Sequence, residues 1–110
     1  MEQAYLKMLE TTDPEFAVFF SRFAGEEVTG EPGQELDERT RYMAILAVLL
    51  GCQGRELFRK LLPQALDAGV TPVEVKEIVY QATAYLGIGR SYPFLNIVNE
   101  VLMARGVRLP

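Results

Sequence analysis

The chain has 110 residues, 49% of them hydrophobic and 24% charged, which is the composition of a folded globular domain and excludes a disordered chain. Its 11 Lys and Arg against 15 Asp and Glu give a net charge of −4, without the basic face that general nucleic-acid binding needs. The single cysteine, Cys52, and the absence of histidine exclude an internal disulfide, a C-x-x-C redox pair, Ser–His or Cys–His catalysis within one chain, and any imidazole metal site.

Met1-Glu2-Gln3-Ala4 shows no basic region followed by an apolar stretch, so no signal peptide is expected. The apolar run from Met43 to Leu50 is too short to span a bilayer, and the expected location is cytoplasmic, away from membranes. Glu2 to Glu10 reads as a short helix with Tyr5, Leu6 and Leu9 inward. Thr11-Thr12-Asp13-Pro14 is a new start signal, with Asp13 as cap and Pro14 in the first turn, where a missing N–H costs nothing. Phe16, Phe19, Phe20 and Phe23 follow at helical spacing, an aromatic stripe that belongs to a core, a subunit interface or a ligand-binding face. Residues 28–35 hold Pro32 and two glycines and read as a loop.

Asp37 caps the next helix, with Glu38 at its positive end. From Tyr42 to Leu50 this helix is apolar almost all round, which predicts burial on most sides, by another subunit as well as by its own chain. Gly51-Cys52-Gln53-Gly54 interrupts it. Residues 55–68 form a helix with Leu57, Phe58, Leu61, Leu62, Ala65 and Leu66 inward, and Pro63 predicts a kink or a split near Leu61.

The stretch from Gly69 to Gly87 carries its own start and stop. Gly69 suits a left-handed position, Thr71 caps, Pro72 takes the first helical position, and Glu74 completes a capping box. Val75, Ile78, Val79, Ala82 and Leu86 make one apolar stripe, and Gly87 ends the helix. Gly87-Ile88-Gly89-Arg90-Ser91 reads as a mobile turn. Residues 93–104 form the last helix, with Phe94, Ile97, Val98, Val101 and Leu102 inward and Gly106 closing it. No stretch alternates as a strand does, so the chain reads as one all-α domain over residues 1–110 with about five or six helices.

Leu36-Asp37-Glu38-Arg39-Thr40-Arg41, Gly51-Cys52, Ala65-Leu66-Asp67-Ala68-Gly69-Val70-Thr71-Pro72, then Glu77, Gln81-Ala82, Tyr85 and Gly87 stand in an order that resembles the carboxymuconolactone decarboxylase family. That family includes the alkylhydroperoxidase D-like proteins. The likeness begins at Asp13-Pro14-Glu15 and runs nearly to the end of the chain. It implies an all-helical fold and homo-oligomers, commonly trimers or hexamers, with helices buried between subunits.

The peroxidase-like branch uses a C-x-x-C pair, a histidine on the next turn and an upstream glutamate. Aligned through Ala65 and Gly69, those positions hold Gly54, Leu57, Leu61 and Tyr42, and a one-residue shift brings Lys60 to the histidine position without supplying cysteines. The resemblance therefore speaks against a thiol peroxidase. The decarboxylase branch does not need the cysteines. Its substrate is a carboxylated lactone, which loses carbon dioxide and leaves an enolate-like intermediate. Such chemistry needs a cation for the carboxylate, hydrogen-bond donors for the developing charge, and a proton donor. The histidine usual near Lys60–Leu61 is missing, and Gly89 stands where a proline is expected.

Several side chains are candidates for these roles. Cys52 is a small packing residue or a thiol facing a pocket, and Gln53 is a pocket donor or a helix cap. Gln81 and Tyr85 lie one helical turn apart and share a face; the phenol donates a proton, lines a pocket, or serves only as a half-buried structural group. Tyr42 replaces the family glutamate as a hydrogen-bonding group or fills its space. Arg90 matches a carboxylate bidentately, or is a surface or intersubunit cation. Glu74 is explained by the capping box, Glu77 by solubility or an interface ion pair, and Lys60 as a surface lysine unless burial lowers its pKa. The expected protein is a cofactor-free, metal-free lyase with a largely apolar pocket near residues 51–54 and 85–90, closed by a neighbouring subunit. Arg90 would hold a small organic acid or carbonyl ligand, Tyr85 or Tyr42 would donate, and Cys52, Gln53 and Gln81 would line the site. The alternative is a non-catalytic oligomer of the same family that binds a small molecule or serves assembly.

Overall fold

The computed structural model describes residues 4–28 and 35–108, which contain six α-helices and no strand. The chain divides into two compact units, Met1–Leu36 and Asp37–Pro110. No helix among the described residues is long and apolar enough to cross a membrane.

In the first unit a 3₁₀ segment, Ala4–Met8, runs into the short α1, Leu9–Thr12. The expected start at Glu2 lies outside the described residues. α2 spans Pro14–Arg22 and continues as a π-helical turn, Phe23–Glu27. Asp13 stands at the N-cap of α2, as expected, but its side chain accepts no helix N–H. Its carboxylate instead accepts the Thr12 hydroxyl at 2.9 Å.

Leu6 and Ala17 are buried, whereas Phe16, Phe19 and Phe23 are 58%, 63% and 57% exposed. Within the first unit these three rings are therefore left largely uncovered. Phe16 stacks on Phe20 at 5.9 Å between ring centroids, so part of its apolar surface is covered from within the helix itself. Residues 29–34, most of the expected loop, lie outside the described residues.

The second unit holds α3 (Glu38–Gly51), α4 (Arg55–Asp67), α5 (Pro72–Leu86) and α6 (Ile88–Ala104). α3 packs on α4 and α5, and α6 packs on the same two helices. Leu46, Leu50, Phe58, Leu62, Val75, Val79, Phe94 and Val98 are fully buried between them. Phe58 and Phe94 meet edge to face at the centre, 5.0 Å between centroids and 84° between planes.

The caps are those the sequence calls for. Asp37 accepts the Thr40 N–H at 2.7 Å, and this hydrogen bond holds the Asp37 carboxyl below the usual aspartate range. The Thr71–Glu74 capping box is complete in both directions. Gly69 takes φ +104°, the left-handed turn that lets α5 follow α4.

Three expectations give way in this unit. Of the kink or split expected at Pro63, the split is absent: α4 runs unbroken through it. Leu61, Leu62 and Ala65 around it are all buried, and their packing outweighs the one lost N–H bond. Leu57, expected inward, lies at the rim at 36% exposure.

The turn expected at residues 87–91 is reduced to a single residue. Gly87 alone makes the corner, at φ 87° and ψ 153°, and Ile88 already begins α6. The backbone N–H groups of Arg90 and Ser91 both reach the Gly87 carbonyl at 3.2 Å. Ser91 is fully buried, and its hydroxyl is bonded to the Thr83 hydroxyl at 2.8 Å. This link ties the start of α6 to α5, so Pro93 falls inside the helix rather than at its start.

Candidate functional site

The apolar character of α3 has a visible consequence on its outer side. Met43 and Ala47 of α3 face Ile78, Gln81 and Tyr85 of α5 across a groove of about 710 Å³. The i, i+4 spacing of Gln81 and Tyr85 sets both polar groups along one wall. Tyr85 is near the C-terminal end of α5 and 84% exposed, so the groove is open on that side in a single chain. Its charged residues are Glu74 and Glu77, both acidic. The Glu74 carboxylate is already engaged, by Arg39 and by the Thr71 N–H.

The structure thus brings Gln81 and Tyr85 together and leaves the other candidates elsewhere. Tyr42 is buried at 3% exposure, next to Met43 in sequence but outside the groove lining. Cys52 is exposed in the turn after α3, with its Sγ 3.7 Å from the Leu49 carbonyl. Gln53 has φ 62°, and its side-chain amide donates to the Leu50 carbonyl at 2.8 Å. The same carbonyl also accepts the Gln53 backbone N–H at 3.1 Å, so the side chain folds back on the end of α3 in the manner of a helix cap.

Arg90 is exposed on the first turn of α6, and its guanidinium makes no hydrogen bond or ion pair among the described residues. Lys60 pairs with Glu56 at 3.5 Å, the surface reading of that lysine. Among the described residues no group of three or more His, Cys, Asp or Glu side chains is arranged to hold a metal ion. The observed groove lies on α3 and α5 rather than around residues 51–54. Spacing alone does not mark the walls Met43, Ala47 and Ile78 as site residues. The signal for the first two was the excess of apolar positions on α3, more than its own chain covers.

An all-helical chain with a largely apolar groove between two core helices, and an amide and a phenol on one wall, narrows the class to a small helical binding or catalytic domain. The profile of the carboxymuconolactone decarboxylase family matches residues 14–100. The 4-carboxymuconolactone decarboxylase of Acinetobacter baylyi is 32% identical over 102 residues, covering 93% of this chain and 75% of that protein. The chain belongs to the carboxymuconolactone decarboxylase family. No solved structure matches it.

Proposed function

We propose that the protein is a cofactor-free lyase that decarboxylates a small carboxylated lactone, or a related organic acid, in the groove between α3 and α5. The observation that carries this reading is the placement of Gln81 and Tyr85, two hydrogen-bond donors, on one wall of an otherwise largely apolar groove. When the bond to the carboxylate breaks, carbon dioxide leaves and the electron pair passes into the lactone carbonyl as an enolate. A donor beside low-dielectric walls stabilises that charge more than water would. The Gln81 amide supports the oxyanion, and the Tyr85 phenol supplies the hydrogen bond or the proton.

The groove's own lining offers no cation for the carboxylate. In this reading Arg90, whose guanidinium is exposed and unpaired among the described residues, serves that role from a second copy seated over the open side. The protein is then a cytoplasmic homo-oligomer, a trimer or hexamer, whose site is complete only in the assembly.

One observation favours a second reading. The charged residues of the groove are Glu74 and Glu77, which in a single chain suit a neutral or cationic ligand better than an organic acid. That is the expectation for a non-catalytic small-molecule-binding member of the family. The two separate on one assay. 4-Carboxymuconolactone, the compound named for the Acinetobacter relative, is supplied to the purified oligomer and carbon dioxide release is followed. Saturable release supports the lyase. No release, with saturable binding of a neutral ligand at the same groove, supports the binding protein.

A further inference from the structure

A different groove lies between α5 and the C-terminal end of α6, about 940 Å³ in volume. Leu102 and Met103 give it an apolar floor, and Met103 is 78% exposed. It shares Tyr80 and Glu77 with the α3–α5 groove but adds polar members that groove lacks: Lys76, Asn99 and Arg108. We infer that this groove binds a small organic carboxylate with an apolar body, at a site that adjoins the proposed catalytic groove, sharing Glu77 and Tyr80 with it, but has its own cations and its own methionine.

The donor inventory supports an anion. The Lys76 ammonium gives one hydrogen bond to the Asn99 side-chain oxygen, which leaves two of its three donors unspent. Asn99, with its oxygen engaged, has its NH₂ group left to offer. The Arg108 guanidinium makes no hydrogen bond or ion pair among the described residues, and its planar fork matches a carboxylate. Two cations against one carboxylate leave a small positive excess, which a monoanion balances. A phosphate would bring a second negative charge beside Glu77. The exposed Met103, above the buried Leu102, supplies a surface for an aliphatic or aromatic body.

The methionines give a direct readout, because Met103 lines this groove and Met43 lines the other. Benzoate is titrated into the full-length protein carrying ¹³C-methyl methionine, with benzamide as the neutral isostere and inorganic phosphate as competitor. The expected result is a saturable shift of the Met103 methyl, an unmoved Met43 methyl, and little response to benzamide. Lys76→Met and Arg108→Leu should each weaken benzoate by about tenfold, the scale of one charge-assisted contact. Either variant alone suffices if the other does not fold.

The inference is overturned if Met103 does not respond, if benzamide does as well as benzoate, if phosphate displaces benzoate on equal terms, or if the folded variants bind unchanged. A shift of Met43 in place of Met103 also overturns it, and would assign the carboxylate to the α3–α5 groove. Failure of lactone turnover while Met103 still responds removes the proposed lyase and leaves this site standing.

Discussion

Glu74 divides its carboxylate between two partners. One oxygen accepts the Thr71 N–H at 2.9 Å and closes the capping box of α5, while the other pairs with Arg39 of α3. Arg39 also donates from its Nε to the Gly69 carbonyl at 3.3 Å, so a single arginine holds both the turn before α5 and the glutamate of its capping box. Glu74→Ala removes the side-chain half of the capping box and the ion pair together, leaves the bond from the residue-74 N–H to the Thr71 hydroxyl, and should cost about 1–2 kcal/mol. Arg39→Ala should cost less, about 0.5–1 kcal/mol, because the pair is partly exposed. Urea denaturation of both single variants and the double variant measures these, and a coupling near zero would show that the pair contributes nothing.

The two glycines at the α5–α6 corner should behave oppositely. Gly87 sits at φ 87°, where any other residue is strained, and Gly87→Ala should cost about 1–3 kcal/mol. Gly89 is helical, and a Cβ there meets nothing within 4 Å. Gly89→Ala should stabilise by about 0.5–1 kcal/mol. Thermal unfolding distinguishes the single-residue corner from a flexible five-residue turn, for which both changes would be nearly silent.

Phe58 and Phe94 have no exposed surface and meet edge to face. Phe58→Ala should cost about 3–5 kcal/mol, a large share of the roughly 5–15 kcal/mol that holds a domain of this kind together. Phe58→Leu, which keeps most of the volume, should cost clearly less. Equal losses in chemical denaturation would argue against a tightly packed centre.

Asp37 sets a pH dependence. Its hydrogen bond from Thr40 lowers its folded pKa, so its contribution is fully present above the pKa of an unfolded aspartate, about 4, and is lost as pH falls through the lower folded value. Asp37→Ala should therefore unfold at a lower temperature than wild type near neutral pH, with the gap closing in acid. A gap that stays constant down to about pH 2 would contradict the cap.

The helices were legible because their ends are written locally. Asp37, the Thr71–Glu74 pair and Gly87 each fix a boundary with side chains or backbone freedom that belong to that boundary alone. The unsplit helix at Pro63 and the early start of α6 follow from packing and side-chain bonds, which a reading of local turn and breaker residues leaves out. Buried neighbours keep α4 whole, and the Thr83–Ser91 hydrogen bond pulls residues 88–92 into α6.

The site was partly legible. Helical spacing put Gln81 and Tyr85 on one face, and the structure places both along one groove. Spacing within one helix says nothing about the wall across from it, so Met43 and Ala47 were not named. Gln53 illustrates the reverse case: beside Gly54 its side chain allows a pocket donor or a helix cap, and the positive φ and the bond to the Leu50 carbonyl, neither visible in spacing, are features of the cap.

The proposed lyase rests on Gln81 and Tyr85, and kinetics of carbon dioxide release from 4-carboxymuconolactone test it most directly. Wild type, Tyr85→Phe and Gln81→Ala are compared at equal native mass and equal thermal stability. The account predicts turnover by wild type and a fall in kcat of at least about tenfold in each variant, with a smaller change in KM. Turnover by wild type that both variants match would contradict it and move the chemistry out of the α3–α5 groove.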